Sequence, residues 1–79
     1  MTPEVSTLVS IARGRIDSAM NELEIIGAEQ FGHGALGLAL IKREIFTPEF
    51  HNICTDLTRR ASERRVMIRA QHSAARNAA

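Results

Sequence analysis

The chain has 79 residues, enough for one domain near the lower size limit of a self-sufficient core. Its one cysteine, Cys54, excludes an intrachain disulfide and fits a reducing compartment. Ten basic against nine acidic residues leave a net charge of +1, so the clue lies in where the charges sit.

Residues 1–49 hold seven acids (Glu4, Asp17, Glu22, Glu24, Glu29, Glu44, Glu49) against four bases (Arg13, Arg15, Lys42, Arg43). From residue 50 onward two acids, Asp56 and Glu63, face the six arginines 59, 60, 64, 65, 69 and 76. No basic-then-apolar leader opens the chain. Its longest apolar stretch, Ala35 to Ile41, falls short of the ~20 residues a membrane span needs. The expectation is a soluble, cytoplasmic protein with no membrane contact.

The first predicted element begins at Thr2-Pro3-Glu4, with a capping hydroxyl, a proline at the first helical position and an acid facing the positive end of the macrodipole. Val5, Leu8, Ala12, Ile16, Ala19, Leu23 and Ile26 then recur at spacings of three and four, which predicts one long amphipathic helix from Pro3 to about Ala28. Gly27 to Gly34 reads as a turn. A short buried helix follows from about Gly34 to Ile45, apolar nearly all round, with Lys42 and Arg43 near its C-terminal end.

Thr47-Pro48-Glu49 repeats the helix-start signal. It opens a third, basic helix from Pro48 to about Ala75, with Phe50, Ile53, Cys54, Leu57, Ala61 and Ile68 on one side. Residues 76–79 carry no core residue and are expected to fray. The class is all-α: a single helical domain over 1–79 made of a long helix, a short buried helix and a long basic helix. In an up-down-up arrangement with so short a middle helix, helix 3 starts midway along helix 1 and overshoots it. The two overhangs, Val5–Leu8–Ala12 and the region of Ile68, are then the expected interface of a homo-oligomer.

Four candidate chemistries follow. Gly32, Gly34 and Gly37 spell G-x-G-x-x-G, but a dinucleotide loop needs a strand before it, a helix after it and an acid about 20 residues on. Here a helix precedes it and position 57 is a leucine. The glycines are therefore read as a turn (Gly32, Gly34) and as room for a neighbouring helix (Gly34, Gly37). His51 and Cys54 share a helix face, with His33 and His72 as distant candidates, but no motif links the four, and no metal or other cofactor is expected. No nucleophile–base constellation is present, so no catalytic residue is assigned and the protein is expected not to be an enzyme.

The arginine run is the remaining candidate. Arg59, Arg60, Arg64, Arg65 and Arg69 suit an acidic partner protein, or the phosphates of a nucleotide or nucleic acid. Without Trp or Tyr, and with arginines scattered around the helix, base-specific reading is disfavoured. The structural alternative is surface ion pairing of Arg59 and Arg60 with Glu22, Glu24 and Glu29. Arg64 is singled out because it interrupts the apolar stripe.

In length and helical make-up the chain resembles small helical proteins of phages and other mobile elements that act by binding a host factor. Phe31, Gly34, the Lys42–Arg43 pair and Pro48 are similar to positions in phage proteins that sequester cyclic oligonucleotide signals in helical oligomers. That likeness covers about a quarter of the chain, with different spacing and a longer segment after Pro48, and it assigns no family. The functional expectation is a non-enzymatic regulator, inhibitor or adaptor docking on a partner protein. The alternative is an anion-binding protein that holds a nucleotide signal or nucleic-acid backbone between protomers.

Overall fold

The computed structural model describes residues 1–78 as three helices, α1 (Pro3–Ser18), α2 (Glu22–Ile41) and α3 (Thr47–Ala78), with no strand among them. The all-α class is as expected, but the first boundary is not. The Thr2 hydroxyl accepts the Val5 N–H at 3.2 Å and Pro3 opens α1, yet the helix stops at Ser18 instead of running to Ala28. Three local hydrogen bonds mark the boundary, and the two made by Asn21 set it. The Ser18 hydroxyl donates back to the Gly14 carbonyl at 2.8 Å, and the Asn21 side chain accepts the Glu24 N–H at 2.9 Å while donating to the Glu24 carboxylate at 3.1 Å. Extended Asn21 thus caps a new helix, a competing local choice that favours helix starts over helix interiors.

Gly27, Gly32, Gly34 and Gly37 all lie inside α2, so the expected turn over Gly27–Gly34 does not exist. The middle helix has 20 residues and is longer than the 16-residue first one. It ends where Arg43 takes φ 58°. That left-handed residue lets the Glu44 N–H reach the Ala39 carbonyl at 2.8 Å and the Arg43 N–H reach that of Leu40 at 3.1 Å, which satisfies the last carbonyls of the helix. Glu49 then accepts the Phe46 N–H at 3.1 Å as α3 begins.

Arg13 meets Asp56 and Asp17 meets Arg60, so α1 and α3 run parallel with a constant offset, and α2 returns antiparallel between them. That offset puts the start of α3 level with the start of α1. There is one overhang, at the far end of α3, and not two. Val5 and Ala12 are fully buried and Ile68 is 7% exposed inside the chain's own core, and Leu8 is half-buried. The oligomer interface expected at these four residues rested on two overhangs that this offset removes: the longer α2 covers them. α3 stays helical through Ala78, past the expected fraying from residue 76; residue 79 lies outside the described residues.

The core alternates small and large side chains. Ile16, Ile25, Leu36 and Leu57 fill it, and Gly32 provides the close approach: a Cβ there would lie 2.7 Å from Leu57 Cδ1 and 3.1 Å from Ala12 Cβ. The result is a rod 52 × 18 × 16 Å. No described helix is long and apolar enough to cross a membrane.

Candidate functional site: the basic face of the third helix

Asp56 is the hub of the lower half of the arginine face. It accepts from Arg13 Nε of α1 at 3.0 Å, from Arg60 Nε at 3.1 Å and from the Arg59 guanidinium at 2.6 Å. Arg60 spans on to Asp17 at 3.1 Å, and Arg59 to Glu63 at 2.8 Å. Partial burial pushes the Asp56 carboxyl up, but the hydrogen bonds from Arg59, Arg60 and Arg13 outweigh it, and its pKa falls below the ordinary value. The hydrogen bonds that Arg59 donates to Asp56 and Glu63 raise the Arg59 pKa in turn. Together these groups clamp α1 to α3.

One turn further on, Arg64 turns inward. Its Nε donates to the Ala19 carbonyl at 2.8 Å, a peptide group freed by the end of α1. A charged donor on the apolar stripe is thus explained by an orphan acceptor in the same place. Arg65 forks between Glu22 at 2.7 and 2.9 Å and Glu29 at 2.7 Å, which ties α3 to α2 and raises the Arg65 pKa.

The expected ion pairing is present with different partners. Arg59 and Arg60 meet Asp56, Glu63 and Asp17, whereas Glu22 and Glu29 belong to Arg65 and Glu24 serves the Asn21 cap. Missing residues 19–21 from the helix displaced this assignment. Arg13 as a member of the cluster was not anticipated, and neither was Arg15, whose guanidinium sits 4.3 Å from the centre of the Phe31 ring.

Arg69 is different. It is exposed and makes no hydrogen bond or ion pair among the described residues. Beyond Glu63 the chain has Arg64, Arg65, Arg69 and Arg76 and no acidic side chain. Arg69 and His72 form one rim of a groove of about 280 Å³ whose floor is Ile25 and Ile68 and whose other rim is Asn21 and Glu22. Past this groove α3 projects alone. The groove thus sets an apolar floor beside an unpaired guanidinium, which together offer desolvation and a charged donor.

His33, His51 and Cys54 do come together, along a more open groove of about 590 Å³ between α2 and α3, while His72 lies in the other groove. No group of three or more His, Cys, Asp or Glu among the described residues is arranged to hold a metal ion. Burial raises the Cys54 pKa, which disfavours the thiolate that a ligand or nucleophile needs. The glycine pattern lies in mid-helix, where the N–H groups are engaged in the helix ladder, so it forms no phosphate cradle. The close approach expected at Gly34 and Gly37 does not occur, since both face open space; it falls at Gly32, which was read as part of a turn. Comparison of the chain with protein-family models, curated proteins and solved structures gives no match.

Proposed function

We propose that this chain is a non-enzymatic docking module that seats the projecting end of α3 on an acidic surface of a partner protein. The observation that supports the reading is the uneven use of the arginines. Arg59, Arg60, Arg64 and Arg65 are engaged by the chain's own acceptors, whereas Arg69 lies unpaired on the rim of a groove with an apolar floor. Arg76 extends the same acid-free segment. Steering by this end is long-ranged at low salt and weakens as the Debye length shrinks. The internal pairing of four arginines also weighs against the anion-holding alternative, because a phosphate would have to displace a carboxylate from each of them except Arg64, whose acceptor is the Ala19 carbonyl. Self-association belongs to the reading as well, through a face other than the one around Val5, Leu8, Ala12 and Ile68.

The test is capture of a partner from the protein's own cells at low salt, followed by native mass spectrometry. A stoichiometric acidic polypeptide retained by the natural chain, and lost on Arg69→Glu with Arg76→Glu at unchanged helicity, is the expected result. A small anionic adduct that survives the double change would instead support the nucleotide reading. Retention of the same polypeptide by the double variant would rule out the α3 end as the docking surface.

A further inference from the structure

The outward face of α2 carries no charge. Leu23 and Ile41 are 78% and 79% exposed on it, Leu38 57% and Ile26 38%. Between them lie Gly27, Gly34 and Gly37, and the one polar side chain of the line is Gln30. At about 100° per residue all of these fall within one third of the helix circumference. The glycines need a reason of their own. A Cβ at Gly27, Gly34 or Gly37 would touch nothing within 4 Å, so the chain's own packing does not require their absent side chains. Each weakens the helix by about 1 kcal/mol relative to alanine. Gly32, on the opposite side of α2, is the one the fold itself uses.

We propose that a second copy of this chain covers this face, with the two α2 helices packed antiparallel about a twofold axis level with Gly32. Three features of the face select that occupant. First, the face is self-complementary in register, as a twofold interface must be. Leu23 and Ile41 are equidistant from position 32, and so are Gln30 and Gly34. Leu38 and Gly27 both lean toward α1, where they line grooves with Leu8 and with Arg15, while Ile26 and Gly37 lean toward α3. A twofold perpendicular to the helices brings like-leaning residues together at mirrored heights. Leu38 of one copy therefore fills the gap over Gly27 of the other, Ile26 fills that over Gly37, and Leu23 meets Ile41.

Second, the flanking charges choose the direction. Glu24 and Lys42 lie on the α1 side of the line, at opposite ends of α2, and antiparallel pairing points each toward its opposite in the second copy. Parallel pairing would set Glu24 against Glu22, a like-charge contact, and align the two helix dipoles unfavourably. Third, the area fits. The four aliphatic residues expose roughly 500 Å² per copy, toward the upper end of the ~300–600 Å² of a typical monomer's largest patch, and twice that approaches the ~1,200 Å² lower end of specific interfaces. A dissociation constant in the micromolar range is expected.

Sedimentation of the full chain from about 1 to 200 µM reads the assembly directly, and the expected species at the top of the range has twice the 8.7 kDa chain mass. Gly34→Glu, in open space on the monomer, should keep the helicity and weaken the dimer at least about tenfold by burying two like charges near the axis. In a Cys54→Ala background, Leu23→Cys and Ile41→Cys chains should cross-link when mixed and only poorly alone. A chain that stays monomeric at ~200 µM, or a dimer that Gly34→Glu leaves intact, overturns the proposal. Efficient cross-linking of Leu23→Cys to itself overturns the antiparallel register.

Discussion

Gly32→Ala tests the packing that the fold rests on, because the same substitution at Gly14 should do the opposite. In either helix, alanine is favoured over glycine by about 1 kcal/mol. At Gly14 the new methyl meets nothing within 4 Å, so that gain stands, and Gly14 is on α1, away from the outer face of α2. At Gly32 the methyl would lie 2.7 Å from Leu57 Cδ1 and 3.1 Å from Ala12 Cβ. Leu57 is fully buried, so its Cδ1 can retreat only by displacing other core side chains, and the Ala12 Cβ moves only with the α1 backbone. Overpacking of this kind costs about 1–3 kcal/mol, so Gly32→Ala should come out destabilised by about 1 kcal/mol net. The two variants then differ by about 2 kcal/mol, a separation in Tm on the order of 10 °C for a domain of this size. Thermal melts followed by circular dichroism at one low protein concentration provide the assay. A Gly32→Ala chain that gains as much as Gly14→Ala would refute the reasoning, since it would mean the three helices do not converge at that point.

Two further outcomes follow from the polar groups. Asp56→Asn should lose about 1–2 kcal/mol at neutral pH, because hydrogen bonds to a charged group are among the stronger ones but this carboxylate is partly exposed. The Asp56 pKa is lowered in the folded chain, so its contribution is present above the unfolded value near 4 and fades as pH falls through the folded one. Denaturant titrations of the two chains should therefore begin to converge as pH falls below about 4 and meet only below the folded value, and a gap that does not narrow over that range would show that the loss is not electrostatic. Arg43→Gly should raise stability by about 1 kcal/mol, since a left-handed residue with a Cβ is strained by that order and the hydrogen bonds around it are backbone ones. Destabilisation in the same melts would place an unrecognised role on the Arg43 side chain.

Helix class and the start of α3 were legible because each rests on a local signal; the close helix approach, expected at Gly34 and Gly37, falls at Gly32 instead, because it depends on which face of α2 is buried. The break at residues 19–21 was not legible, although its signal was present. The apolar spacing Ile16, Ala19, Leu23, Ile26 runs across the break with helical period, and period alone cannot distinguish a continuous stripe from two faces placed in series. The Asn21–Glu24 capping pair marks the boundary, and the burial pattern agrees with it: Ile25 and Ala28 are inside, while Leu23 and Ile26 face out. Gly27 to Gly34 read as a turn because glycine is costly in helices, a cost that the buried Ile25, Leu36 and Ala39 on the opposite face offset. The arginine partners followed from the boundary. With α1 ending at Ser18, the free Ala19 carbonyl and Glu22 lie opposite Arg64 and Arg65, and only placing that turn shows which arginines have protein acceptors.

The two proposed surfaces constrain each other. Gly32 packs at the level of Leu57, so a twofold at Gly32 also sits at the level of Leu57 along both copies of α3. Arg69 is 12 residues beyond that level and Arg76 is 19. At ~1.5 Å rise per residue, the pairs of Arg69 and of Arg76 in an antiparallel dimer lie roughly 35 and 57 Å apart along the rod, pointing in opposite directions. Such a dimer presents one basic end at each pole. It would bridge two partner molecules, or two sites separated by about that distance on an extended one, and gain avidity only in the second case. Gly34→Glu separates these outcomes through the stoichiometry of the captured complex. Loss of bridging with the single-site affinity retained fits a two-ended connector, whereas loss of all partner binding would place the partner on the α2 face itself.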